Sequence, residues 1–377
     1  MAIKVAVPGE TAEGEKRVAL IPAVATRIAG MGAEILVQKG AGKATRIPDE
    51  AWEDATLVDD AAAACKDADI ILRVTPPTPN EIKQFREGAI YIGYLGAHQN
   101  HDTVKALRDR KITAFSMEYV PRISRAQSID ALSSQAAAAG YKAALKAADM
   151  SGRFFPMLTT AAGTIRPATV LVVGAGVAGL QAIATAKRLG ARVEAYDVRP
   201  EAKEQVESLG AKFVELDLEA SGEGGYAREL TEDEKQKQQE LLAQHVAKAD
   251  AVITTAAVPG RPAPKIIPKS MVDNMKSGAV IVDLAAETGG NCEITKAGEV
   301  VEHGDVLVYG PVNVPSMLAE HASEMYAKNL MNFITLILKD GELSLDWEDE
   351  VLAKSVVTHD GEIKHQATRE LVEGGKS

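Results

Sequence analysis

The chain reads as an α/β protein: two Rossmann-like parallel-sheet domains joined by long helices across a cleft. Three observations predict this. Short apolar, β-branched runs alternate with helical stretches along most of the 377 residues, which implies parallel strands with right-handed crossovers. Hydrophobic residues make up 46% of the chain but aromatics only 4%, so the core is Ala, Val, Ile and Leu, as in buried parallel sheets. The length exceeds one ordinary domain and suits two.

In chain order, the first expected strands are Ile3–Val7, Ala33–Val37, Ile70–Val74, Ile90–Leu95 and Thr113–Met117. The apolar run at the N-terminus is too short for a secretory signal, and no stretch reaches the roughly 18 apolar residues of a membrane span. Gly40-Ala41-Gly42-Lys43 resembles a piece of a phosphate loop, but the earlier glycine and the hydroxyl residue after the lysine are missing. An Ala-rich helix from about Asp130 to Ala148 leads into the second domain. Its strands begin near Thr169 and continue with Ala191–Tyr196, Ala251–Thr255, Ala279–Leu284 and Val306–Tyr309. A helical pattern over Pro315–Leu338 runs back to the first domain. Asp360-Gly361 between Ser355–His359 and Glu362–His365 signals a hairpin. The expected domains are therefore residues 1–132 with 316–377, and residues 133–315. The polar, glycine-rich run Leu218–Tyr226 interrupts the second domain as a lid or a surface insertion, and Thr231–His245 reads as a solvated helix.

The most informative run is Ala168–Leu180, in which an apolar strand pattern enters a complete G-x-G-x-x-G and a helical pattern leaves it. Gly174 permits the tight turn, and Gly176 lets the backbone approach a pyrophosphate. Gly179 lets the helix pack on its strand, with the helix N–H groups facing the anion. The second strand delivers Asp197, suited to accept hydrogen bonds from an adenosine ribose diol and to repel a 2′-phosphate. Arg199, two residues on, points the other way, since an arginine there can pair with a 2′-phosphate. The pattern predicts dinucleotide binding, with NAD(H) favoured because Asp197 ends the strand.

Composition excludes other classes. A net charge of −11 argues against a nucleic-acid partner, which requires concentrated Lys and Arg. Cys65 and Cys292 form no CxxC pair and read as small buried hydrophobes in a reducing compartment. None of the seven histidines stands in a metal-ligand spacing, so no metal is expected. The unusual polar run is Arg122–Gln135, two arginines, an amide, an acid and several hydroxyls at the start of a helix. Asp130 is placed to cap that helix and pair with a neighbouring arginine, and Gln127 and Ser133 to hydrogen-bond a carboxamide. An ordinary N-cap with a solvated first turn is the other reading.

Glu15–Leu20, Arg122–Gln135, Val173–Gly190 and Val282–Asn291 together resemble the alanine dehydrogenase/transhydrogenase superfamily over almost the whole chain, more nearly its transhydrogenase branch. The resemblance implies a subunit that binds NAD(H) and passes hydride directly to NADP(H) held by a partner component. It also implies a membrane-spanning, proton-conducting partner, a homodimer, and a cytoplasmic position peripheral to the membrane. Arg122 and Ser133 would orient the nicotinamide carboxamide, Asp130 would hold Arg122, and Gln127 would lie between the two nicotinamides. The nucleotide site implied comprises Gly174, Gly176, Val177, Ala178, Gly179, Asp197, Val198, Arg199, Tyr226, Thr255, Ala256, Glu287 and Asn313. Tyr226 would sit at the tip of a closing loop.

Departures from the alanine dehydrogenase pattern matter as much. The catalytic histidine of that branch corresponds to Gly96, its substrate lysine to Arg73, and its aspartate to Glu287, while Arg17 is kept. Oxidising an amino acid needs a proton-transfer group; nucleotide-to-nucleotide hydride transfer does not. The competing readings are a soluble amino-acid dehydrogenase using Arg17 and Arg73, and an NAD-binding regulatory module without chemistry.

Overall fold

The structure is a computed structural model, and it describes residues 2–215, 232–257 and 262–374. The chain divides into two compact units, residues 1–135 with 315–377 and residues 136–314. In the first unit, strands β1 (Ile3–Val7), β2 (Ala33–Gln38), β3 (Ala55–Val58), β4 (Ile70–Leu72), β5 (Ile90–Gly93) and β6 (Thr113–Ser116) form a parallel sheet in the order β3-β2-β1-β4-β5-β6. The hairpin Val356–His359/Glu362–Ile363 extends the sheet antiparallel beyond β6. Both faces are covered: Val5, Ile35, Ile70 and Phe115 lie in one apolar cluster, and Ala6, Ile71, Tyr91 and Ala114 in another. Alternate residues of each strand thus supply opposite cores, which is why the runs are continuously apolar.

Helix α1 (Ala131–Met150) carries the chain from the first unit into the second. The second unit holds a small hairpin, β7 (Leu158–Thr160) and β8 (Gly163–Ile165), followed by β9 (Thr169–Val173), β10 (Arg192–Tyr196), β11 (Lys212–Phe213), β12 (Ala251–Thr254), β13 (Val280–Asp283), β14 (Val300–His303) and β15 (Val306–Tyr309). The main sheet runs β11-β10-β9-β12-β13-β15-β14 and is parallel apart from the β14–β15 pair. The order reverses at β9, which is flanked by β10 and β12. In open α/β sheets, ligands bind beyond the carboxyl ends of the strands at such a reversal. Here that point is Gly174, just after β9, beside Thr255, just after β12. Helix α2 (Val177–Arg188) leaves this turn and buries Ile183 and Ala186 against the sheet.

Candidate functional site

The turn from β9 into α2 has the geometry that its glycines predict. Gly174 has φ +96°, in the left-handed region, and a side chain there would meet Thr255 Oγ1 at 2.7 Å. A Cβ on Gly179 would lie 1.8 Å from the Gly174 carbonyl oxygen, so only glycine allows this helix–strand contact. Around a Cβ on Gly176, by contrast, there is nothing within 4 Å. Gly176 is the N-cap of α2, and no side chain caps the helix. The first-turn amides of Val177 and Ala178 therefore face open space, with Val177 exposed, as a site for a phosphate anion requires.

The neighbouring strand ends complete this rim. Thr255 Oγ1 donates to the Gly174 carbonyl at 3.0 Å, and Ala256 is clamped by buried Asn291, which accepts from its N–H and donates to its carbonyl. Sequence reasoning did not single out Asn291, which lies beyond the Gly289-Gly290 pair. Asp197 Oδ2 accepts from the Ala175 N–H at 2.7 Å, tying the acid to the glycine turn. Arg199 folds back onto the same carboxylate, donating from its backbone N–H, Nε and Nη2 at 2.8–3.0 Å. That engagement weakens the case for Arg199 as a 2′-phosphate ligand. Burial works against the Asp197 charge, but the Arg199 and Ala175 hydrogen bonds outweigh it and hold the carboxyl below its ordinary value. The stability this contributes is present above the ordinary carboxylate range and is lost only as pH falls through the lowered value, so Asp197 is charged at neutral pH. Val198 is 69% exposed at the strand end. Glu287 and Asn313 meet each other, Asn313 N–H donating to Glu287 Oε1 at 2.7 Å. Tyr226 and the run Leu218–Tyr226 lie outside the described residues.

In the first unit, the Arg122–Gln135 run is a surface loop followed by the first turn of α1, with Arg122 and Gln127 exposed. Asp130 caps α1: its Oδ1 accepts from the Ser133 N–H at 2.9 Å and its Oδ2 from Ser133 Oγ at 2.6 Å. Such a cap contributes about 1 kcal/mol. The expected Asp130–Arg122 pair is not formed. The N-cap geometry brings Ser133, three residues on, directly to the carboxylate. Arg125 pairs instead with Asp349 through two bonds of 2.7 and 3.0 Å. With its proton given to Asp130, the Ser133 hydroxyl keeps lone pairs that suit the NH2 of a carboxamide.

The residues that amino-acid chemistry would use are paired with acids, Arg73 within the core and Arg17 at the wall of a cavity it shares with Glu10, Glu15 and Gln38. Arg73, 1% exposed, is held by Glu81 at 2.7 Å and Glu10 at 3.5 Å. Removing a partner from such a buried pair costs about 3–5 kcal/mol, so the guanidinium belongs to the fold. Arg17 is paired with Glu15 at 2.7 Å and donates to Gln135 Oε1 at 3.0 Å. At Gly96 φ is +52°, and a Cβ would sit 2.8 Å from Asn100 Nδ2. Glu118 Oε1 binds the Leu95 and Gly96 N–H groups at 3.0 and 2.5 Å, fixing this turn. A histidine is strained there. Both cysteines are free and buried, and burial pushes the Cys65 thiol up to about 12, so it is no nucleophile. Among the described residues no cluster suits a metal, and no helix is long and apolar enough to cross a membrane.

Fold and site together define a protein of two Rossmann-type sheets, with a dinucleotide fingerprint at the reversal point of the second. The chain belongs to the alanine dehydrogenase/PNT family: the model of its N-terminal domain matches residues 6–139 and that of its C-terminal domain residues 143–366. It is 48% identical to the first segment of the NAD(P) transhydrogenase subunit alpha of Rhodospirillum rubrum, over 97% of this chain and 98% of that one. A crystal structure of transhydrogenase from Sinorhizobium meliloti, 45% identical, covers 96% of this chain and 99% of its own with a TM-score of 0.87. The alanine dehydrogenase of Mycobacterium tuberculosis is more distant, 30% identical over 95% of this chain and 94% of that one.

Proposed function

We propose that this chain is the NAD(H)-binding subunit of a proton-translocating nicotinamide nucleotide transhydrogenase. When bound, NADH supplies the hydride, which passes to NADP+ on a partner component. The uncapped α2 N-terminus receives the pyrophosphate, Asp197 accepts from the adenosine ribose in place of the Arg199 guanidinium that now covers it, and Thr255 and Ala256 line the rim. Arg122 and Ser133 orient the carboxamide, Asp130 acts through Ser133, and Gln127 stands where the two nicotinamides meet. Direct transfer requires the reacting atoms within about 3–3.5 Å, so the chain's task is orientation and exclusion of water.

The observation that carries this reading is the burial of Arg73 between Glu81 and Glu10, together with a positive-φ glycine where a proton-transfer group would stand. A dehydrogenase for amino acids needs a cation free for the substrate carboxylate and a proton-transfer group beside it. The test mixes this chain with an NADP(H)-binding partner and follows hydride transfer between NADH and an NADP+ analogue. Transfer with partner, and no reduction of pyruvate plus ammonium without it, is the expected result. The opposite pattern sinks the proposal.

Asp197→Ala removes both a ribose acceptor and the tether to Ala175. NADH affinity should fall about tenfold, roughly 1.4 kcal/mol. The nicotinamide mononucleotide fragment, which lacks the adenosine, should lose less than about twofold; equal losses in a fluorescence titration contradict the ribose contact. The same proposal includes a membrane-spanning, proton-conducting partner that holds the chain at the inner side of the membrane, and a homodimer. An exposed apolar group supports self-association: Phe154, Met157 and Ile165 are 53%, 65% and 48% exposed around the β7–β8 hairpin. Met157→Glu with Ile165→Lys should yield a monomer in sedimentation velocity that keeps the parent's far-UV circular dichroism, with a melting temperature no longer dependent on protein concentration. A dimer that persists removes the hairpin from the interface.

A further inference from the structure

We infer that Asn329 and Asn332, on helix α3 (Ala319–Ile337), are positioning residues for Gln127. The inference rests on the reading above, in which Gln127 lies at the transfer point. Both asparagines send a side-chain amide to one acceptor, the carbonyl oxygen of Ser128, at 2.9 and 3.0 Å. They stand three residues apart on α3, so they share a face. Ser128 directly follows Gln127, and both side chains are exposed. A carbonyl has two lone pairs, and this one spends both on α3.

The grip is itself braced. Asn329 is 6% exposed, and its Oδ1 accepts from Ser134 Oγ at 2.7 Å, which sets the amide with its NH2 toward Ser128. Gln135, next along α1, donates to Ser134 Oγ and to the Ala322 carbonyl of α3, and accepts from Arg17. One polar network thus fixes the loop at Ser128 and the helix start at Ser134–Gln135, on either side of the Asp130–Ser133 cap. Surface loops are ordinarily the mobile part of a fold, and a group that must orient a transferred hydride cannot be. The two asparagines resolve that conflict.

The test uses Asn332→Ala, half-exposed and tolerant of truncation, and Asn329→Ala. Three quantities are read: amide exchange over residues 126–130 in the chain alone, NADH affinity by fluorescence, and single-turnover transfer to NADP+ on the partner. Exchange at Ile129 and Asp130 should quicken and transfer should slow, each about tenfold, with NADH affinity within about threefold of the parent. Unchanged exchange and transfer in both variants overturn the inference. So does an equal loss of affinity and transfer, which marks a general structural role. A parent chain that gives no transfer with partner, while the variants still exchange faster, overturns the functional reading and leaves the anchoring intact.

Discussion

Gly176→Val should weaken NADH binding by about a hundredfold, near 3 kcal/mol, and leave the melting temperature within about 2 °C of the parent. Space and conformation both support the second half of that expectation. Nothing lies within 4 Å of a Cβ at this position, and its φ of −76° with ψ of −167° is extended backbone that valine adopts readily. The added atoms occupy only the room in which a pyrophosphate would meet the α2 amides. Gly179→Ala is the contrasting variant. Its Cβ would meet the Gly174 carbonyl at 1.8 Å, so α2 must move off β9 and the melting temperature should fall by roughly 5–10 °C. Two glycines of one motif therefore fail in different assays, one in titration and one in the thermal melt. Parent-like NADH affinity in Gly176→Val contradicts a phosphate site at this turn.

The contrast also indicates what is legible in the sequence. A glycine fingerprint is local: turn, close approach and helix start all follow from a dozen consecutive residues. The parallel sheets are legible for a similar reason, since β9, β12 and β13 are buried runs whose composition alone marks them. Strand β3 is not, because Ala55–Val58 is four residues at a half-exposed sheet edge with no strong apolar signal. The β7–β8 hairpin, three residues a side, escapes likewise. Ion pairing is the least legible feature. Arg73 finds Glu10 across 63 residues and Arg125 finds Asp349 across 224, distances over which spacing carries no information. Asp130 is half legible: the expected helix cap forms, and the expected arginine pair does not. A charged partner nearby suggests an ion pair, but the helix cap uses a serine at i+3, whose N–H and hydroxyl are delivered by backbone geometry.

In the proposed site, Gln127 is the residue whose substitution should have the second large effect. With the Asp130 carboxylate bound to Ser133, it fixes the helix start rather than Arg122, and Gln127 stays exposed in the loop just before that start. Gln127→Asn is that substitution: it keeps the amide and retracts it by one methylene, about 1.5 Å. A misplacement of about 1 Å can cost a hundredfold in a step that depends on alignment. Single-turnover transfer to the partner's NADP+ should therefore slow about a hundredfold, while NADH affinity stays within a few-fold. The exposed side chain packs against no core cluster, so the melting temperature should not move. Restoring length with Gln127→Glu returns the reach but exchanges an NH2 donor for an anion. It should recover little if the amide donates to a nucleotide, and much if only volume is needed. A large loss of NADH affinity in Gln127→Asn, matched by the loss of rate, would make Gln127 a binding residue and move the transfer point elsewhere.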